Sequence, residues 1–308
     1  MSLDFDSARL ANPHFTEEHD AWRGALRRFI DTEIMPFADE WDEAGAIPSE
    51  LWPKAARVGL LGLGYPEQFG GTSADSWHSW IVNEELSRVG AGGISASLMV
   101  HGIGLPPVIN WGPEWMQAEV APPVLSGEKW ISLGITEPGG GSDVANLSTT
   151  AVRDGDHFVV SGSKTYITGG MRANWVSTAV RTGGSGAGGV SMLLIPTDAE
   201  GFSRTPLDRK MGWWASDTAT LYFDEVRVPV ANLIGAENEG FRVIMTNFNS
   251  ERMGMAAAME AYGRVCLEEA VAWATERKTF GKRLADHQVI RHKIAQMKQQ
   301  LNATQAYI

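Results

Sequence analysis

The chain has 308 residues, of which 26 are basic and 37 acidic, so its formal net charge is −11. This length exceeds one ordinary domain core and predicts two or three domains, while the acidic balance argues against nucleic acid as a main partner. The single cysteine, Cys266, excludes an internal disulfide and a multi-thiolate zinc site, and it fits a reducing, cytoplasmic setting. Neither a membrane span nor a secretory signal peptide is expected, because no apolar run approaches the roughly 18–20 residues that a span needs.

The first 127 residues predict an N-terminal α-helical domain. One apolar stripe recurs at every fourth position: Trp22, Leu26, Ile30 and Ile34. This spacing predicts an amphipathic helix, which Thr16 is placed to cap. A second helix is expected to begin at Pro48-Ser49 and a third to run from about Ser76 to Val89.

Residues 128–236 predict a central β domain. Asp154-Gly155 is a strong hairpin signal, and the apolar runs Trp175–Val180 and Val190–Ile195 flank a glycine-rich loop. Apolar and polar residues alternate along Thr218–Val228, which predicts a further strand. Short strands without helices between them favour an antiparallel, barrel-like sheet. The string Gly184–Gly189 matches a dinucleotide fingerprint, but a strand follows it instead of a helix, so a hairpin loop is predicted.

Residues 237–308 predict a C-terminal helical domain. A long helix is expected from Phe241 to about Thr275, followed by a link over Lys278–Asp286 and a second long helix with a bundle-like stripe. Because two long helices cannot bury their stripes alone, this bundle is expected to be incomplete, with the natural chain continuing beyond residue 308. The predicted fold is therefore α+β: a helical domain, an antiparallel β-barrel-like domain and the first two long helices of a bundle.

Several chemistries are not supported by the residues. Seven histidines are scattered along the chain without a metal-binding motif, so no metal site is predicted. No nucleophile elbow is present, and Cys266 lies inside a predicted helix without an obvious base beside it.

Two patches of the β region carry a stronger signal. Thr136–Asp143 places three glycines between hydroxyl side chains, which suits close backbone approach to a ring edge or phosphate, although a tight β turn explains it equally well. In Lys164–Gly170, Tyr166 and Thr168 are two residues apart and are expected on one face of a strand. There the ring has room to stack on a flat cofactor while the hydroxyl donates to it, although ordinary sheet packing also accounts for Tyr166.

At these patches the chain resembles the acyl-CoA dehydrogenase family. The matching strings occur in the family's order over roughly residues 15–308. They are Ile135–Asp143, Gly162–Gly169, Met211–Thr218, Phe223–Pro229, Asn232–Gly235, Glu251-Arg252, and Arg277–Gly281 with Gln288. Seven strings in order are far more specific than any one of them. The family's helical, β and helical arrangement agrees with the division predicted above.

The resemblance implies FAD as cofactor and an acyl-CoA thioester as substrate. Leu133, Ile135 and Thr136 fall where the family lines the flavin ring, and Tyr166 and Thr168 fall where it packs an aromatic side chain and donates a hydroxyl. Ser142 falls at the rim between flavin and substrate. The family's positions that reach the FAD of a neighbouring subunit are matched by Arg277, Thr279, Phe280 and Gln288. A homodimer or homotetramer is therefore implied.

The chemistry needs a carboxylate that removes the α-proton of the thioester. Most family members place it near the end of the chain, but a branched-chain and long-chain subgroup places it immediately before the arginine of the long helix, where this chain has Glu251. The alternative is a structural Glu251 with the base beyond residue 308. Arg252 matches the arginine at the mouth of the acyl-CoA site, and Asn249 lies near the CoA arm.

At two positions this chain differs from the residues that are usual in the family. Tyr166 stands where tryptophan or phenylalanine is usual, and Trp214 stands where the family often has arginine.

The leading hypothesis is an FAD-dependent acyl-CoA dehydrogenase that forms the trans-2-enoyl-CoA and passes electrons to an electron-transfer flavoprotein. The alternatives are an oxygen-using flavoenzyme of the same fold (acyl-CoA oxidase, nitroalkane oxidase or monooxygenase) and a non-catalytic subunit.

Overall fold

The structure is a computed structural model that describes residues 3–208 and 210–308, apart from the side chain of Ser250. It divides into two compact units. The first unit combines the N-terminal segment up to Met35 with Ala74–Gly90 and Arg252–Ile308. The second unit combines Pro36–Ser73 with Ala91–Glu251. The division into domains at residues 127 and 236 stays a prediction.

The helices and strands of the described residues follow in chain order. The helices are α1 (Glu17–Glu33), α2 (Ala38–Ala44), α3 (Leu51–Arg57), α4 (Ser76–Ser87), α5 (Gly92–Leu98), α6 (His101–Gly104), α7 (Pro106–Trp111), α8 (Glu114–Leu125), α9 (Gly240–Glu276) and α10 (Gln288–Tyr307). The strands are β1 (Ile131–Gly134), β2 (Thr150–Asp154), β3 (His157–Thr168), β4 (Trp175–Arg181), β5 (Val190–Pro196), β6 (Phe202–Pro206), β7 (Thr218–Pro229), β8 (Leu233–Ile234), β9 (Lys278–Thr279) and β10 (Lys282–Arg283).

The predicted N-terminal helices are confirmed, with shifted ends. Leu26, Ile30 and Ile34 are fully buried, as the stripe predicts, and Thr16 is the N-cap residue of α1. The second predicted helix is α3, which begins at Leu51 because a turn occupies the residues after Pro48. The third is α4, which ends at Ser87.

The first unit buries a network of charged side chains where an apolar core is usual. Arg264 is fully buried and donates to Glu84 at 2.5 Å and to Glu260 at 3.0 Å. Arg23 joins the network through Glu84 at 2.7 Å. Because buried charges are tolerated only when paired, removal of one member is expected to be strongly destabilising.

The second unit contains the main sheet, whose strand order is β6-β7-β3-β2-β4-β5-β8, with β1 pairing beside β4. The hairpin predicted at Asp154-Gly155 is confirmed by the pairing of Asp154 with His157. The string Gly184–Gly189 lies in the loop between β4 and β5, which are antiparallel, so the predicted hairpin loop is also confirmed.

Two details of the predicted sheet need correction. The sheet is mixed, because β1 and β2 each pair with β4 in parallel. Its strand path through the described residues runs from an edge at β6 to an edge at β8 and does not close, so barrel-like is too strong a description. Runs of β residues predict strands well but carry no signal for which strand pairs with which.

One apolar cluster of the second unit joins the sheet to the start of α9. Its buried members include Ile131 on β1, Ile135 at the start of the loop that follows, and Val243 and Ile244 on α9. The predicted flavin-lining segment and the first turns of α9 therefore share a packed core.

The C-terminal elements agree with the predicted boundaries. α9 extends over 37 residues, the link contains the short β9–β10 hairpin, and α10 follows. No single helix among the described residues is both long and apolar enough to cross a membrane, although the bent pair Gly92–Leu98 and His101–Trp111 meets that test jointly.

Candidate active site

The loop that follows β1 is a tight turn closed by two backbone hydrogen bonds. Glu137 and Gly140 each donate an N–H to the other's carbonyl oxygen at 3.0 Å. A Cβ added at Gly139 or Gly140 would meet nothing within 4 Å, so this side of the turn faces open space. The turn expected on the residues alone is thus present, and its outer face is accessible to a ligand.

A buried ion pair lies beneath this turn. The Lys164 side chain is fully buried, and its Nζ donates to Oε1 of Glu137 at 2.8 Å and to the Ile135 carbonyl oxygen at 3.1 Å. Glu137 also accepts hydrogen bonds from both N–H and Oγ of Ser148 at 2.6 Å and from the N–H of Thr149 at 2.8 Å. A lysine at a buried strand position therefore fixes the backbone of the predicted flavin-lining segment.

The electrostatics of the pair favour two charged partners at neutral pH. Burial alone would raise the pKa of Glu137, but the charge of Lys164 and the hydrogen bonds from Lys164, Ser148 and Thr149 outweigh it and bring the pKa to about 2. Burial lowers the pKa of Lys164 to about 8, against the opposing hydrogen bond and charge of Glu137. Protonation of Glu137 would leave the buried Lys164 ammonium without a counter-charge, which is costly. We therefore interpret the ion pair as a structural element that stays charged at neutral pH.

Thr136 and Tyr166 are brought together by the sheet. The N–H of Thr165 donates to the Thr136 carbonyl oxygen at 2.8 Å, which ties the loop to the strand next to Tyr166. Tyr166 has a positive φ of 58°, at a register shift between β3 and β7, and its side chain is 69% exposed. A bulky residue in this backbone region is strained, and such strain is frequent at functional sites. Simple alternation along the strand predicts neither the bulge nor the strain.

These residues fit the flat ring system of FAD. Tyr166 offers an exposed aromatic face, and the hydroxyl-bearing Thr136 and Thr168 are both half-buried. Leu133 is half-buried and Ile135 nearly buried, whereas Ser142 is exposed at the end of the loop. A sheltered apolar base, hydroxyl donors and one open aromatic face are the features that a ring-binding surface needs.

The residues assigned to substrate chemistry lie on α9. Glu251 is half-buried and accepts a hydrogen bond at Oε1 from Nδ2 of Asn247 at 2.7 Å. Asn249 is exposed and belongs to the second unit, as Glu251 does. Arg252 follows in the same helix, is exposed, and belongs to the first unit. Sequence reasoning missed Asn247, although its position one helical turn before Glu251 was a usable signal.

The predicted neighbour-subunit residues cluster around the β9–β10 hairpin in the first unit. Arg277 precedes the hairpin, Thr279 pairs with Lys282, and the exposed Gln288 begins α10. Phe280 and Gly281 form the two-residue turn with φ of 52° and 77°, a combination typical of a type I′ turn. The Phe280 side chain is 97% exposed at the tip. The structure thus places these residues in the hairpin or next to its ends.

One cluster of metal-ligating residue types escaped the sequence analysis because its members are far apart in the chain. His19, Asp75 and His78 place one ligand atom each within 4.8 Å of one another. Asp75 caps α4 and accepts from both imidazoles, and the N–H of Thr16 donates to Nδ1 of His19 at 3.1 Å. Because Nδ1 of His19 accepts this hydrogen bond, the proton of the neutral imidazole lies on Nε2, which faces Asp75. Hydrogen bonds at the starts of α1 and α4 therefore account for the cluster.

A cavity of about 490 Å³ lies elsewhere in the second unit, between the end of α2 and the segment that precedes β7. Trp214 is among its lining residues, and its indole donates to the Lys210 carbonyl oxygen at 2.8 Å. None of the predicted site residues is among the described residues that line this cavity. The indole that replaces the family's usual arginine therefore lines this cavity, together with Thr218, which pairs with Thr168.

Three family models match the chain in order. They are the N-terminal domain of acyl-CoA dehydrogenases at residues 16–128, the middle domain at 132–226 and the C-terminal domain at 238–308.

Curated relatives agree with these models. An acyl-CoA dehydrogenase of Alternaria alternata is 37% identical over 98% of this chain and 73% of its own length. The mitochondrial long-chain specific acyl-CoA dehydrogenase of Sus scrofa is 35% identical over 96% of this chain and 69% of its own length.

Solved structures share the fold. A probable acyl-CoA dehydrogenase from Mycobacterium abscessus has a TM-score of 0.91 at 47% identity, covering 94% of this chain and 79% of that one. A glutaryl-CoA dehydrogenase from Mycobacterium smegmatis in complex with FADH2 has a TM-score of 0.88 at 27% identity, covering 95% and 74%. Together with the fold described above, these matches establish that the chain belongs to the acyl-CoA dehydrogenase family of oxidoreductases.

Proposed function

We propose that this protein binds FAD and catalyses α,β-dehydrogenation of an acyl-CoA thioester to the trans-2-enoyl-CoA. The observation that supports this most is the position of Glu251, a carboxylate on α9 held by a hydrogen bond from the buried Asn247 amide. Family membership supplies the reaction class, and a family structure that contains FADH2 supports the cofactor.

The residues have distinct roles in this proposal. Leu133, Ile135 and Thr136 form one side of the ring site, while Tyr166 stacks and Thr168 donates its hydroxyl. FAD, when bound, supplies a two-electron acceptor for the hydride that leaves the β-carbon. Glu251 removes the α-proton onto its carboxylate as the double bond forms between the two carbons. Hydrogen bonds to the thioester carbonyl would stabilise the negative charge that develops there.

Three polar residues are proposed to bind the CoA part of the substrate. Ser142 lies at the rim of the loop, and Arg252 and Asn249 are exposed on α9 beside Glu251 in the sequence. A guanidinium suits the phosphates of CoA, and a serine hydroxyl suits its polar arm. The long-chain name of one curated relative agrees with Glu251 as base, since that subgroup places its base immediately before the arginine.

The complete site requires a second copy of the chain. Arg277, Thr279, Phe280 and Gln288 would reach the FAD of a neighbouring subunit, so we propose a homodimer or homotetramer. The Phe280 side chain at the hairpin tip is 97% exposed, so it is accessible to a neighbouring subunit. The mass of the purified protein in solution, measured by analytical ultracentrifugation, tests it, and a monomer that retains FAD would contradict it.

We also propose an electron acceptor and a cellular location for the protein. Electrons are expected to pass to an electron-transfer flavoprotein, and the single cysteine fits the reducing cytoplasm. Cell fractionation tests the location, and an acceptor assay with and without electron-transfer flavoprotein under argon tests the electron route.

An anaerobic titration tests the reaction itself. The purified flavoprotein is mixed with short, branched and long acyl-CoAs while the visible flavin absorbance is recorded. We expect bleaching by at least one class, with the matching enoyl-CoA found by mass spectrometry. A flavin that no thioester bleaches would contradict dehydrogenation and leave a non-catalytic subunit. Bleaching followed by rapid reoxidation in air would identify an oxygen-using enzyme instead.

A further inference from the structure

Asn247 lies one turn before Glu251 on α9, and only 7% of it is exposed. Its amide nitrogen donates to the Ile103 carbonyl oxygen at 3.1 Å and to Oε1 of Glu251 at 2.7 Å. Because a backbone carbonyl can only accept, the bond to Ile103 determines which end of the amide is the nitrogen. One amide nitrogen thus bridges a fixed backbone group and the carboxylate.

Packing alone does not explain asparagine at this position. Asparagine is a poor helix former, and burial of an amide costs free energy unless its hydrogen bonds are made. A leucine would have a similar size and would suit the neighbouring Val243 and Ile244, which are buried in the apolar cluster. The two hydrogen bonds therefore account for the residue better than its volume does.

The backbone that anchors Asn247 is itself tightly held. Ile103 lies in α6, and the next residue, Gly104, packs so closely on β1 that an added Cβ would come within 2.9 Å of the Ile131 carbonyl oxygen. Oγ of Ser177 donates to the Gly104 carbonyl oxygen at 2.8 Å. β1 leads directly into the predicted flavin-lining loop, so the amide connects Glu251 to the frame that shapes that loop.

We propose that Asn247 is a positioning residue that holds the Glu251 carboxylate at a fixed place relative to β1 and the loop that follows it. The inference rests on the proposed function, because it requires Glu251 to act as the base. Asn247 touches neither substrate nor cofactor in this proposal, and it acts only through the carboxylate. Its effect should therefore fall on the rate of proton removal and not on ligand affinity.

The test compares Asn247→Leu with a matched control, Asn232→Leu. Asn232 is also nearly buried, and its amide donates to the Leu194 carbonyl oxygen at 2.9 Å, so the control removes a similar hydrogen bond without touching Glu251. Each variant is reduced anaerobically by the acyl-CoA that bleaches the wild-type flavin. We expect Asn247→Leu to lower the limiting rate about 10- to 100-fold with unchanged substrate Kd and FAD content, because a small misplacement of a reacting group has effects of this size. The control should keep the wild-type rate, and Asn247→Gln should recover part of the loss.

Crystal structures of both leucine variants give a readout that does not depend on activity. The Glu251 carboxylate should move in Asn247→Leu and stay in place in Asn232→Leu. Equal rates in the two leucine variants, or an unmoved carboxylate, would overturn the positioning role while leaving the dehydrogenase proposal intact. If Glu251→Gln keeps the wild-type rate, the inference falls together with the base assignment. If no acyl-CoA reduces the wild-type flavin, the proposed function and this inference both fail.

Discussion

Two carboxylates of the same unit, Glu137 and Glu251, accept hydrogen bonds from different kinds of donor. Glu137 is buried against the Lys164 ammonium and accepts three further hydrogen bonds, so its negative charge is permanent at neutral pH. Glu251 is half-buried and accepts a hydrogen bond from the neutral amide of Asn247. A carboxylate paired with a buried cation and closed in by three further donors is suited to shaping a loop. In the proposed function, Glu137 shapes the loop and Glu251 takes the α-proton of the substrate.

The largest expected effect comes from breaking the buried pair. Lys164→Met leaves the Glu137 charge buried without its partner, which typically costs about 3–5 kcal/mol. We expect the melting midpoint of the second unit to fall by about 10 °C, with loss of retained FAD. The matched control is Lys164→Met combined with Glu137→Gln, which removes both charges and should recover most of the midpoint. Equal midpoints for the single and double variants would show that the pair does not hold the loop.

Acid should weaken the same pair. The pKa of Glu137 is about 2 in the folded protein and near 4.5 when unfolded, so its contribution to stability is complete above pH 4.5 and declines below it. Lys164 is protonated in both states throughout this range. The stability of the wild type should therefore fall by about 2 kcal/mol relative to the uncharged double variant between pH 6 and pH 3. Urea unfolding at several pH values measures it, and a constant difference would contradict the assignment.

Loss of the exposed ring should weaken the cofactor site without weakening the fold. Tyr166→Ala removes a side chain that is 69% exposed, so stability should change little, while FAD should bind about 5- to 10-fold more weakly through lost stacking. Tyr166→Phe keeps the ring and should bind FAD as the wild type does. Tyr222→Ala serves as a control on β7 of the same sheet. Unchanged FAD affinity in Tyr166→Ala would assign the tyrosine to packing.

The smallest effect concerns the hairpin tip, where function and stability are expected to oppose each other. Asparagine tolerates positive φ and suits a type I′ turn before glycine, so Phe280→Asn should stabilise the first unit by up to about 1 kcal/mol. The same change should reduce FAD occupancy or subunit association. Tyr307→Asn, at a side chain that is 93% exposed, is the control and should do neither. Full FAD occupancy and assembly in Phe280→Asn would remove Phe280 from the proposed site.

Local periodicity and turn residues specify much of the secondary structure, and the sequence alone predicted α1, α3, α4, α9 and α10, strands β2–β5 and β7, and the two hairpin loops of the main sheet. It did not predict the bounds of α2 and of the short helices α5–α8, nor the β9–β10 hairpin. It did not predict the parallel pairing of β1 and β2 with β4, since pairing depends on the path of the whole chain. The string around Thr136 drew attention to the loop, but the role of Lys164 required knowing that a strand position faces Glu137 27 residues earlier in the chain. Asn247 was within reach from its spacing to Glu251, whereas its bond to Ile103 spans 144 positions and had no sequence signal.

The most direct test of the account is the rate of flavin reduction in Glu251→Gln. Glutamine can still accept the hydrogen bond from Asn247 but cannot take a proton, so the fold, FAD content and substrate binding should stay as in the wild type. Glu269→Gln, at an exposed glutamate of α9, is the matched control. Rapid anaerobic mixing with the reducing acyl-CoA should show a rate about 10²- to 10⁴-fold lower in Glu251→Gln and an unchanged rate in Glu269→Gln. Reduction of Glu251→Gln at the wild-type rate would contradict the account and place the base elsewhere.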